Sequence, residues 1–129
     1  MQNDPPAENQ TDQTLATILH FHATFNTHNV DAIMRLMSDD CVFENTVPAP
    51  DGARLVGQAA VRAAWEALFR DSPQAAFAVE EAFAAGDRGV IRWKYTWGAS
   101  SASAGHVRGV DILRVRDGKV TEKLSYVKG

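Results

Sequence analysis

From Phe77 to Val127 the chain repeats with a period of two. Phe77, Val79, Glu81 and Phe83 alternate with Ala78, Glu80 and Ala82, and Ile91, Trp93, Tyr95 and Trp97 alternate with Arg92, Lys94 and Thr96. Two further runs, His106 to Arg116 and Lys119 to Val127, flank Asp117-Gly118. A period of two is the signature of a strand whose side chains point to alternate faces. Asp-Gly between alternating runs is among the strongest short hairpin signals. Ala85-Gly86-Asp87 and a Ser/Ala/Gly loop over 98–105 separate the other runs. The second half of the chain therefore reads as four consecutive strands of an antiparallel sheet.

The first half is helical in period. A helix is expected from Thr11 or Asp12 to about Thr27, with Leu15, Ile18, Leu19, His22 and Phe25 on one stripe. Asn29 can cap a short second helix in which Val30, Ile33, Leu36 and Met37 share a face, ended by Ser38-Asp39-Asp40. Cys41 to Val47 reads as a strand broken by Pro48, Pro50 and Asp51-Gly52. A third helix after Gly57 carries Val61, Ala64, Trp65, Leu68 and Phe69 as its stripe, and Asp71-Ser72-Pro73 stop it. Helices first and consecutive strands last define an α+β fold, with three helices covering one face of the sheet. Residues 1–10 have almost nothing to bury and are read as a disordered lead-in to a single domain over 11–129.

Composition narrows the function. The net charge of −3 offers no electrostatic attraction to nucleic acid or to an anionic membrane. No apolar run approaches the roughly 18 residues of a membrane span, and the N-terminus lacks a basic-then-apolar signal pattern. The single Cys41 excludes an internal disulfide, which suits a reducing compartment. A small cytoplasmic domain is the expectation.

The final hairpin holds the main chemical signal. One face of its first strand reads Val107, Gly109, Asp111, Leu113, Val115. With a two-residue turn at Asp117-Gly118 and a regular ladder, Asp111 faces Leu124, with Tyr126 and Glu122 as diagonal neighbours. A carboxylate in such an apolar row is costly to ionise, so its pKa is expected to rise. A neutral acid there can donate to a substrate oxygen or shuttle a proton. Alternatively, Asp111 only accepts a bond from a neighbouring Arg or Tyr and fixes the sheet.

The tail VDILRVRDGKVTEKLSYV, the segment DDCVFENTVPAPDG followed by LVGQAAVRAAWEALF, and the opening FNTHNVDAIMRLM resemble the SnoaL-like branch of the nuclear transport factor 2-like superfamily. The resemblance covers about residues 12–127. It implies a cone: a curved antiparallel sheet, helices closing one side over a pocket, and a homodimer formed through the outer sheet face. The superfamily includes ketosteroid isomerases, polyketide cyclases, epoxide hydrolases, dehydratases and non-catalytic domains, so it implies no single reaction. The isomerases' oxyanion-side Asp falls on Asp111, their base Asp on Asn45 and their helix-one Tyr on Phe21. Asn is no base at neutral pH and Phe has no hydroxyl, so that mechanism lacks two of its three groups. The epoxide hydrolases' second Asp falls on Ser125. The cyclase branch needs an Asp with a nearby His, for which His22 or His106 is available.

Other residues complete the candidate site. His22 has a side chain suited to proton transfer near neutrality, although a buried His bonded to a backbone carbonyl or a Tyr is the more common arrangement. If Cys41, Phe43 and Asn45 face the pocket, Asn45 is a substrate hydrogen-bonder and Glu44 lies on the surface; a bulge near the prolines reverses that. Phe21, Phe43, Trp65 and Trp93 either line a site for an apolar ring or are core. His20 and His22 point about 200° apart on a helix, and no cysteine cluster or His-x3-His spacing exists, so no metal is expected. The reading that follows is an enzyme without a cofactor, performing acid/base chemistry beside a carbonyl on a small apolar compound: an isomerisation, cyclisation or dehydration. Asp111 and His22 would be catalytic, and Asn45 and Tyr126 would orient substrate. The alternative is a non-catalytic domain that holds a small ligand or serves as a dimer module.

Overall fold

The structure is a computed structural model that describes residues 6–98 and 104–129. Helix α1 spans Pro6–Phe25, α2 Val30–Arg35, strand β1 Met37–Glu44 and β2 Arg54–Val56. Then come α3 (Gln58–Asp71) and strands β3 (Ala76–Ala85), β4 (Arg88–Trp97), β5 (Gly105–Arg116) and β6 (Lys119–Val127). The six strands form one sheet in the order β2-β1-β6-β5-β4-β3. The α+β architecture with three helices over a curved, open sheet agrees with the expected cone.

Several local expectations are corrected. Helix α1 starts at Pro6, so residues 6–10 belong to it rather than to a lead-in; proline suits a first helical turn, where no backbone donor is needed. Its buried stripe is Thr14, Ile18, Phe21, His22 and Phe25, whereas Leu19 is exposed. Ser38, Asp39 and Asp40 sit in β1 instead of ending a helix, because α2 already stops with Leu36 as its C-cap. Strand β2, three residues long, was not expected. The sheet is not wholly antiparallel: β1 runs parallel to β6, placed there by the α3 crossover, while all other pairs are antiparallel. The expected 98–105 loop lies, over 99–103, outside the described residues.

Polar contacts fix the helices on the sheet. Asn29 accepts from the Ala32 amide at 3.1 Å and caps α2 as its sequence position predicts. Thr14 donates to the Gly86 carbonyl at 2.7 Å and Thr11 accepts from the Gly86 amide at 2.9 Å, tying α1 to the β3–β4 turn. The Asn26 side chain pairs both ways with the Phe77 backbone, at 2.7 and 2.8 Å. Gln58 donates to the carbonyls of Met34, Met37 and Ser38 and so docks α3 at the start of β1. Gly89 leaves room for Ile18 of α1, whose Cδ1 occupies the place a Cβ would take. Between these anchors the core fills with Ile18, Phe21, Phe25, Ile33, Trp65, Ile91, Trp93 and Leu113.

Bulges curve the sheet and set its register. β3 slips against β4 between Val79 and Glu81, and β1 slips against β6 between Met37 and Val42. The third slip matters most. Arg116 pairs with Lys119 and Val115 with Val120, as a two-residue turn demands, but Arg114 then pairs with Glu122. Thr121 is the extra residue. From there to the end, β6 presents the opposite set of side chains to that expected from a regular ladder.

Candidate active site

Asp111 lies on the inner face of β5 with 1% of its surface exposed. The Thr121 bulge places it opposite Ser125, not Leu124, and brings Lys123, opposite Leu113, onto the same face. The Asp111 Oδ1 accepts from the Ser125 hydroxyl at 2.7 Å, and Oδ2 accepts from His22 Nε2 of α1 at 2.8 Å. The Lys123 Nζ stands 3.3 Å from Oδ2 and donates to Ser125 Oγ at 2.8 Å. The same ammonium lies 4.6 Å from the centre of the Phe43 ring and 5.4 Å from that of Trp65. Lys123 is 6% exposed and His22 3%. Four side chains from α1, β5 and β6 thus form one buried polar cluster.

The electrostatics reverse the expectation for Asp111. Burial pushes its pKa up, but the Lys123 charge, the hydrogen bond and charge of His22, and the Ser125 hydroxyl together outweigh it. The carboxyl is held well below the usual carboxylate range. Asp111 is therefore an ionised partner in a buried ion pair, not a neutral acid. Glu122, a diagonal neighbour of Asp111 in a regular ladder, belongs to the outer face, where it lies 3.6 Å from Arg88 and 3.8 Å from Arg114.

Above the cluster opens a cavity of about 380 Å³. Phe25, Phe43, Trp65, Phe77, Trp93 and Tyr95 supply its apolar walls, and Lys123, Ser125 and Asn45 supply polar groups. Among the described residues that line it, Lys123 is the only charged one. Gly109 permits the wall to close: a Cβ there would overlap the Tyr126 carbonyl oxygen and meet Trp93 Cη2 at 2.6 Å. A second cleft of about 440 Å³, lined by Glu44, Asp51, Arg54 and Tyr126, shares Asn45 and Ser125 with the first. It includes neither Lys123 nor Asp111.

The sequence-based candidates separate accordingly. Phe43, Asn45, Trp65 and Trp93 lie on the cavity wall. Asp111 and His22 are brought together one layer beneath it, absent from the lining but joined to Lys123 and Ser125. Tyr126 projects to the other side of β6 from Ser125 and is 53% exposed, so it does not neighbour Asp111. Phe21 is core and has no part in the cavity wall. Glu44 pairs with Arg54 at 2.6 Å on the side of β1 away from Phe43. His106 is exposed and is not the Asp111 partner. Asn45 is partly committed: its Oδ1 accepts from the Ala53 amide at 2.8 Å and from the Val47 amide at 3.3 Å. Lys123 escaped the sequence reading altogether, because the bulge that turns it inward interrupts an otherwise regular hairpin.

A curved sheet with a helix cap over one face is the architecture of the nuclear transport factor 2-like class. The model of the SnoaL-like domain family matches residues 18–123, and the chain belongs to that family. Among solved structures it is similar to a nuclear transport factor 2-like protein of unknown function from Mesorhizobium loti, with 41% identity. That match has a TM-score of 0.78 and covers 99% of this chain and 98% of the other. A candidate ketosteroid isomerase from Kribbella flavida is similar at 21% identity and TM-score 0.77, over 93% of this chain and 81% of that one. A candidate polyketide cyclase from Xanthomonas campestris is similar at 17% identity and TM-score 0.75, over 92% and 93%. At those identities the last two share the fold. No curated protein matches the chain. No helix among the described residues is long and apolar enough to cross a membrane.

Proposed function

We propose that the protein is a small-molecule enzyme of the isomerase or cyclase type, acting on an apolar carbonyl compound held in the 380 Å³ cavity. The observation that carries this reading is the Lys123 ammonium: one buried cation, held between Asp111 and Ser125, at the wall of a largely apolar chamber. Lys123 has three donors: one is given to Ser125, and a second lies toward Asp111, whose Oδ2 stands 3.3 Å away as an ion-pair partner. The third meets the substrate carbonyl oxygen and stabilises the charge that develops there when a proton leaves the adjacent carbon. That proton passes to Asp111 through the Ser125 hydroxyl, which gives its own hydrogen to Oδ1 as it takes the new one. His22 holds the carboxylate in place, and the Asn45 NH₂ group orients the substrate. A weakly basic Asp111 suits a carbon acid that is already activated, such as one between two carbonyls. The outer sheet face, with Phe83 54% and Tyr126 53% exposed, is proposed to pair two copies of the chain.

A second reading rests on a specific observation: among the described residues lining the cavity there is no carboxylate or imidazole. It treats the domain as a ligand holder without chemistry. Deuterium exchange into 2-tetralone at the carbon beside the carbonyl separates the two. The enzyme reading expects exchange well above the buffer rate, lost in Lys123→Met. Binding of 2-tetralone with exchange only at the buffer rate would establish the ligand holder instead.

A further inference from the structure

We propose that Asp111 acts as a charge filter: by neutralising Lys123 from behind, it makes the cavity select an uncharged carbonyl compound over a carboxylate of the same shape. This deepens the proposed function and rests on its placing the ligand oxygen at Lys123. A lone cation in an aromatic chamber would be an anion site, because burying it unpaired is costly and an anionic ligand would relieve that cost. Here the cost is already offset from within. Asp111 Oδ2 sits 3.3 Å from Nζ, on the side where the cluster also holds His22 and Ser125. The cation and its counter-charge are both nearly inaccessible, so water screens neither well.

A ligand oxygen hydrogen-bonded to the free side of Nζ would lie about 6 Å from the Asp111 carboxylate. A carboxylate arriving there gains the ammonium but meets the repulsion of Asp111, and it loses its own hydration among Phe43, Trp65 and Trp93. A ketone oxygen accepts the same hydrogen bond, loses little hydration and brings no net charge. The site thus stays polar while the charge of Lys123 is matched by that of Asp111. Asp111 is a positioning and specificity residue here; it does not touch the ligand.

The test compares 2-acetylnaphthalene with 2-naphthoate at pH 7.5 by equilibrium dialysis, on the full chain. Wild type is expected to bind the ketone at least tenfold more tightly. Asp111→Asn, which leaves Lys123 without its counter-charge, is expected to reverse the order. The double variant Asp111→Asn/Lys123→Met is expected to bind the ketone weakly and the naphthoate no better. Naphthoate bound as tightly as the ketone by wild type would overturn the filter while leaving the cavity a ligand site. So would a folded Asp111→Asn protein that keeps the wild-type order. Failure of wild type to bind either probe would overturn both the filter and the proposed function. The wild-type ratio decides the matter even if Asp111→Asn does not fold.

Discussion

Replacing Asp111 by Asn removes the counter-charge of a lysine that is 6% exposed and has no other anion in contact among the described residues. At 3.3 Å the gross attraction between the two groups is about 5 kcal/mol at an effective dielectric constant near 20. Breaking a buried pair from one side typically costs about 3–5 kcal/mol, because the partner is left charged and unpaired. Asp111→Asn is expected to fall in that range. Lys123→Met should cost less, about 2 kcal/mol: the methionine fills the space against Phe43 and Trp65, and Asp111 keeps the bonds from His22 and Ser125. The double variant then has no buried charge to strand, and its loss is expected to be about 3 kcal/mol rather than the sum of the two. Urea unfolding followed by the fluorescence of Trp65, Trp93 and Trp97 measures all four proteins. A domain of ordinary stability, about 5–15 kcal/mol, leaves room to read the losses. Single-variant losses that add to within about 0.5 kcal/mol would show no coupling and refute the ion pair as the centre of the cluster. So would an Asp111→Asn loss below about 1 kcal/mol.

Three further outcomes follow from the same geometry. The Asp111 carboxyl is depressed in the folded chain, so its contribution to stability is complete above about pH 5 and fades as pH falls through and below the ordinary carboxylate value of about 3.9; the wild-type urea midpoint should drop between pH 5 and pH 3, and Asp111→Asn should flatten that part of the profile. Gly109→Ala forces Trp93 off the strand and should lower the melting temperature by several degrees while perturbing the Trp93 indole signal in NMR, whereas an unchanged indole would refute the close packing at that position. Phe83→Asp on the outer face should convert a dimer to a monomer in sedimentation at micromolar concentration, and a wild-type chain that is monomeric there would remove the proposed pairing.

Much of the fold was legible because periodicity reports burial directly. The stripe Val61, Ala64, Trp65, Leu68, Phe69 could only be a helix laid on something apolar, and Asp117-Gly118 could only be a tight turn; both residues of that turn have positive φ, 54° and 74°. The short strand β2 escaped notice because three residues are too few to show alternation. The parallel pairing of β1 with β6 escaped for another reason. It is decided by where α3 returns the chain, and no local pattern records that.

The site was half legible, and one residue accounts for the difference. A period of two makes a strand's inward row an all-or-nothing choice, so the extra residue at Thr121 exchanges Leu124 and Tyr126 for Lys123 and Ser125 around Asp111. Hydrophobicity alone favours the regular ladder, which would set Asp111 among Leu and Tyr. Charge argues the other way: the regular ladder also brings Glu122 beside Asp111, and two carboxylates in one buried row repel. The slipped register sends Glu122 out to Arg88 and Arg114 and supplies Asp111 with an ammonium and a hydroxyl. Thr121 can occupy the bulge because its own hydroxyl is met by Ser38 at 3.0 Å, where β1 is itself out of register with β6. A misaligned Asp111 would have been a neutral acid in search of a base. The aligned one is a counter-ion, and the group that faces the ligand is the lysine it holds.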